Sequence, residues 1–157
     1  MSLIQRNALA ARLRRGESFV LFAEGTSTDG LTVQRLKTSL LSVAEPWILD
    51  CAVAVQGVTL AYVRLADGTP VDRTNCDLYA WHGDAELLPH LWNVLQMPGI
   101  ELQVSLHEPV LSWSVQSRKV LGRQLRDELA GQLAASYAAA RAPAPGTVGQ
   151  GIAVEAH

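Results

Sequence analysis

Cysteine, phenylalanine and methionine are scarce in this chain, with two of each, and no apolar run is long. Cys51 and Cys76 form no C-x-x-C pair, which argues against a disulfide framework and against a zinc site, so no metal ligand set and no cofactor are expected. Cys51, at the head of an apolar run, is expected to be a small core residue. That run, CAVAVQGVTLAYV, is the longest in the chain, yet it is too short to cross a bilayer and is interrupted by Gln56 and Gly57. No basic-then-apolar leader follows Met1, so the expected compartment is the cytoplasm. A surplus of one charge is lacking too. The net charge of −2 offers no basic face to nucleic acid.

What is present suits one domain with a single core: 157 residues, 48% of them hydrophobic. LIQRNALAARLRR (3–15) places Leu3, Ile4, Ala8, Ala11 and Leu13 near one side of a helix that stops at Gly16. FVLF (19–22) predicts a short buried strand of parallel type. Residues 33–44 return to helical spacing through Val33, Leu36, Leu40 and Val43, and Pro46 closes them. CAVAVQGVTLAYVRL predicts one long strand or two joined at Gly57. A polar loop spans 66–78, and a helix follows from about Ala85 to Gln96, stopped by Met97-Pro98-Gly99. IELQVSLHEPV alternates as a half-buried strand with Ile100, Leu102, Val104 and Leu106 inward. An alanine- and leucine-rich helix covers Arg118 to about Arg141, and 142–157 is a Pro/Gly-rich tail expected to be disordered. This alternation predicts an α/β domain, a layered sheet with flanking helices.

FVLFAEGTSTDG (19–30) runs a strand into a carboxylate, a glycine and several hydroxyls. Two readings are open. Ser, Thr, Asp and Gly are standard turn residues, and the end of a strand is also where an α/β enzyme places a ligand. Gly25 and Gly30 match neither G-x-G-x-x-G nor the Walker loop. An anion could still be held by backbone N–H groups, with Thr26, Ser27 and Thr28 as further donors and Arg35 and Lys37 nearby. Arg6, Arg12, Arg14 and Arg15 make the first helix basic, which fits either a solvated face or a peripheral contact with anionic lipid. Among the histidines, His157 falls in the tail, and His107, in the polar phase of its strand, is expected at the surface. His90 is expected to pack with Trp92 or face solvent. His82, with Asp84 two residues on, is the one candidate base.

FVLFAEGTSTDG followed by Leu36-Lys37 resembles the F-P-E-G-T block of the glycerolipid acyltransferase family, and the later AWHGDAELLPHLW is similar to its branch that acylates lyso-ornithine lipid. The resemblance covers roughly residues 3–130. It implies an acyltransferase-type domain over 1–141 that moves an acyl chain from acyl carrier protein or coenzyme A to a lyso-lipid hydroxyl. It also implies that Glu24, Gly25 and Thr26, with Ser27 and Lys37 beside them, bind the acceptor, so the binding-loop reading moves ahead of the plain turn.

Three positions depart from the pattern: Ala23 and Gly57 replace prolines, and Ser27 replaces the arginine of many phosphate-acceptor members. Without that bidentate cation a phosphate acceptor fits less well than a lyso-ornithine one. The family's His-x4-Asp motif, which deprotonates the acceptor, has no counterpart, because no histidine precedes Glu24. The expectation is therefore the C-terminal part of an acyltransferase domain, incomplete, with no catalytic residue of its own and negligible activity alone. The rival is an inactive lipid- or acyl-carrier-binding module. Exposed sheet edges and faces would favour homo-oligomers.

Overall fold

The computed structural model describes residues 3–49 and 53–142. Its organising element is helix α4, Arg118–Arg141. The Ser117 side chain caps it by accepting from the Val120 N–H at 3.3 Å, and the segment behind is rich in strong helix formers. Its buried positions Leu121, Leu125, Leu133, Tyr137 and Ala140 recur on one stripe and divide the core in two. Leu121 and Leu125 pack with Leu36 and Leu41. At Gly122 a Cβ would stand 2.9 Å from Thr38 Cγ2, so a side chain there would force Thr38 to move. Leu133, Tyr137 and Ala140 pack with Ala61, Val63, Val71, Cys76 and Tyr79.

Gly57 does mark the junction of two strands, β1 (Ala54–Val55) and β2 (Val58–Leu65). They belong to different sheets. β2 pairs antiparallel with β3 (Ile100–Leu106), and β1 pairs antiparallel with β4 (Val110–Leu111). Thr59, Ala61 and Val63 of β2 turn toward α4. The cross-strand pairs Val58↔Leu106, Leu60↔Val104 and Tyr62↔Leu102 share the opposite face. The α/β class holds, and the long helix has the expected bounds, whereas every ladder among the described residues is antiparallel.

Several expectations need correction. FVLF is not a buried strand: Phe19, Val20, Leu21 and Phe22 lie in irregular chain and are all exposed. An apolar segment becomes a strand only when a neighbour takes its backbone groups, and no described strand lies alongside. Residues 33–44 are not one helix. The Lys37 N–H donates to the Ala23 carbonyl at 2.8 Å and is lost to a helix, residues 38–40 form a turn, and only Leu41–Ala44 coil into a 3₁₀ helix. Pro46 opens the one-turn helix α2 (Pro46–Leu49) instead of closing a helix, as its missing N–H allows at a first helical position.

In helix α1 (Leu3–Arg14) the inward side is Arg6, Leu9, Ala10 and Leu13, while Ile4, Ala8 and Ala11 are exposed. Its basic face is partly neutralised, since Arg12 and Arg15 lie 2.6 and 2.7 Å from the carboxylate of Glu17, and Arg14 donates to the Ile48 carbonyl. Arg12 first, then Arg15, hold the Glu17 carboxyl below its usual range. β3 forms where the alternation predicts it, but most of it is exposed on both sides: Leu102, Val104 and Leu106 are exposed, as are Glu101 and Gln103, and only Ile100 and Ser105 are half-buried. Helix α3 (Leu87–Leu95) forms within the expected span and buries no residue at all. Cys51, His157 and all but the first residue of the 142–157 tail lie outside the described residues.

Candidate functional site

The loop after Phe22 is shaped by its glycines and hydroxyls. The Gly25 N–H donates to the Phe22 carbonyl at 3.1 Å, closing a tight turn in which Gly25 takes φ +63°, a left-handed conformation costly for other residues. Thr28 Oγ1 accepts from the Gly30 N–H at 3.2 Å, and Asp29 Oδ1 accepts from the Leu31 N–H at 3.0 Å. These are side-chain-stabilised turns, the structural job the composition suggested. Gly30, at φ +75°, offers its carbonyl to the Tyr137 hydroxyl at 3.1 Å. The far end of the loop is thereby fastened to α4.

Of the five expected acceptor-binding residues, the fold brings Gly25 and Lys37 into contact: Lys37 Nζ donates to the Gly25 carbonyl at 3.1 Å. With the Lys37 N–H on Ala23, one residue ties down both sides of Glu24. Glu24 is half-buried. Desolvation pushes its carboxyl above the ordinary range, and the Gln34 backbone N–H opposes the rise. Thr26 and Ser27 are exposed, and the Thr26 hydroxyl reaches only the Ser27 carbonyl, at 3.4 Å. Arg35 is exposed as well. The loop thus presents a carboxylate, an ammonium and two hydroxyls on an open surface. Two concavities among the described residues lie elsewhere, one beside Glu45, Ser117 and Arg118 and one along Val110, Val115 and Val120.

The histidines depart from expectation. His82 Nε2 stands 2.8 Å from Asp77 Oδ1, so its partner is Asp77 and not Asp84. His107 is half-buried instead of exposed, with Nε2 2.8 Å from the Thr59 hydroxyl. His90 reaches the Tyr79 carbonyl at 3.3 Å and not Trp92. Cys76, Asp77 and His82 are the one group of three metal-type donors among the described residues, all within 4.8 Å. They fit a metal poorly. Two ligands of one tetrahedral zinc stand about 3.3 Å apart, wider than the hydrogen-bonded Asp77–His82 pair. Burial also pushes the Cys76 thiol up, toward its neutral form.

No family model matches the chain, and no solved structure does. Curated proteins do. It is 38% identical over 128 residues to the lyso-ornithine lipid O-acyltransferase of Brucella abortus, which covers 80% of this chain and 48% of that protein. The Rhizobium meliloti enzyme of the same name is 35% identical over 136 residues, 82% of this chain and 46% of its own length. The Pseudomonas aeruginosa one is 35% identical over 117 residues, 74% and 40%. The chain is a partial match to the lyso-ornithine lipid O-acyltransferase family. It spans about half the length of the curated relatives it matches.

Within this acyltransferase-family match, sequence reasoning missed Tyr137 as the anchor of Gly30 and Asp77 as the partner of His82. A lone tyrosine in the run AASYAAA was the available signal for the first. Asp77 lies five residues from His82 across a 3₁₀ turn, and no local periodicity announces that pairing.

Proposed function

We propose that this chain supplies the acceptor-binding part of an acyltransferase whose acceptor is a lyso-lipid hydroxyl, with lyso-ornithine lipid preferred over a phosphate-bearing lyso-lipid. The observation that carries the reading is the Glu24–Gly25–Thr26 turn, held on both sides by Lys37. In this reading the Glu24 carboxylate meets the cationic ammonium of an ornithine head group, and Thr26 and Ser27 hydrogen-bond its amide or hydroxyl groups. Ser27 provides no guanidinium for a phosphate, which orders the two acceptors.

The reaction joins the acceptor oxygen to the thioester carbonyl carbon as the carbon–sulfur bond breaks. The hydroxyl proton goes to a base, and the thiol of acyl carrier protein or coenzyme A departs. The base is the part this chain does not offer next to its loop: among the described residues, no histidine hydrogen-bonds to residues 24–30. Lacking a general base typically costs about 10²–10⁴-fold, so the chain alone is expected to turn over negligibly. Membership of the enzyme therefore requires the remaining half of the domain, supplied by additional polypeptide.

The test is a competition between lyso-ornithine lipid and lysophosphatidic acid, with both thioester donors, in a preparation containing this chain together with the unmatched half of the Brucella abortus relative. Preference for lyso-ornithine lipid, with KM raised by Glu24→Gln, supports the assignment. Equal use of both acceptors with an unchanged KM removes the acceptor role from this loop. Saturable lipid binding without turnover would make the chain a binding module.

A further inference from the structure

The two-stranded sheet β2–β3 packs on α4 through the inward positions of β2, and its other face is covered only at the end where the Tyr62 ring lies 4.6 Å from that of Tyr79. Inward, Ala61 and Val63 are 0% and 3% exposed against α4. Outward, Leu60, Val104 and Leu106 are 47%, 55% and 69% exposed, although their pairing places them side by side with Val58, Tyr62 and Leu102 in one apolar patch. A face this apolar has the chemistry of a core cut open, not of a wet surface. An antiparallel sheet can leave one face to water, but a face left to water is normally polar, and this one is apolar.

We infer that this outward face of β2–β3 is the docking surface for the polypeptide corresponding to the half of the relatives that this chain does not match. The inference rests on the acyltransferase reading and adds where the halves meet. The occupant is argued from proportion and from chemistry. In each relative the matched region is accompanied by about as much chain again, since 48% or less of their length is matched. That is enough to supply a second layer. The patch carries no charge of its own, which suits a permanent, core-like contact more than an anionic lipid surface. Phe19–Phe22 and α3 are exposed apolar surface too, and half a domain is large enough to cover them together with the sheet face.

The unmatched half of the Brucella abortus relative, prepared as a separate polypeptide, is the probe. It is first shown to bind the matched half of its own enzyme. Mixed with the full 157-residue chain, it is expected to form a one-to-one complex in sedimentation and to suppress the dye fluorescence that exposed apolar surface produces. Leu60→Asp and Val104→Asp should weaken that complex at least tenfold while leaving the circular dichroism and melting of the free chain unchanged. Leu88→Asp on α3 should weaken it less. No complex under conditions where the cognate halves associate would overturn the inference, as would a complex indifferent to Leu60→Asp and Val104→Asp, or a self-dimer of this chain that those two changes dissolve. Because association is read without activity, a complex that forms through this face but transfers no acyl group leaves the inference standing and sinks the functional reading instead.

Discussion

Strand β2 has two faces built from the same kinds of residue and treated in opposite ways. Ala61 and Val63 are sealed beneath Leu133 and Tyr137 of α4, while Val58 and Leu60, one residue out of phase, stand in water with Val104 and Leu106. Alternation alone cannot say which apolar face is core. Coverage decides, and coverage comes from chain far away in sequence. The contrast repeats at larger scale: α4 buries a full stripe, and α3, as apolar as any helix here, buries nothing. One part of this molecule closes a core, and the other leaves apolar side chains exposed, the surface we infer to be an interface.

Cavity formation breaks the comparison hardest. Leu133→Ala in the sealed face is expected to lower unfolding free energy by about 2–5 kcal/mol in a urea titration. Leu60→Ala on the open face should stay within about 0.5 kcal/mol in the chain alone. Equal losses would mean that the outer face is already packed. Next in size is the link between core and loop. Tyr137→Phe removes the bond to the Gly30 carbonyl and should cost about 1 kcal/mol, with faster amide exchange in residues 25–31. Ser117→Ala, which removes only the cap of α4, should cost a comparable 1 kcal/mol, roughly, and leave exchange in that loop unchanged.

The smallest effect is a pH dependence at Glu24. Burial raises its folded pKa above the unfolded one, so the folded state binds more protons between the two values. Its contribution to stability is therefore largest at low pH and is lost as pH rises through the folded pKa. Measured as the difference between wild type and Glu24→Gln, the wild type should lose stability relative to the variant on going from pH 4 to pH 7. A difference that is flat or reversed would place Glu24 in open solvent or beside a cation.

Much of the secondary structure was legible in the sequence wherever the determinant is local. The alanine- and leucine-rich composition of α4 predicts Arg118 to about Arg141, Gly57 marks the break between β1 and β2, and Met97-Pro98-Gly99 follows α3. The failures share a cause. FVLF reads as a strand because it is apolar, but a strand needs a neighbour. Residues 33–44 read as a helix by spacing, but the Lys37–Ala23 hydrogen bond competes with the helix and wins. In the site, the role of Gly25 as a tight turn follows from its type and position. The reach of Lys37 back to Gly25, the His82–Asp77 pair and the Tyr137 anchor join residues from 5 to 107 positions apart, distances that no local pattern encodes.

The most direct measurement of the central claim is acyl transfer to lyso-ornithine lipid by the purified chain alone and again after the complementary half of a relative is added. The account predicts no turnover above the enzyme-free control in the first case and clear turnover in the second. Turnover by the 157-residue chain alone, abolished by His82→Ala, would contradict it, because the His82–Asp77 pair would then be the base and the chain would need nothing more.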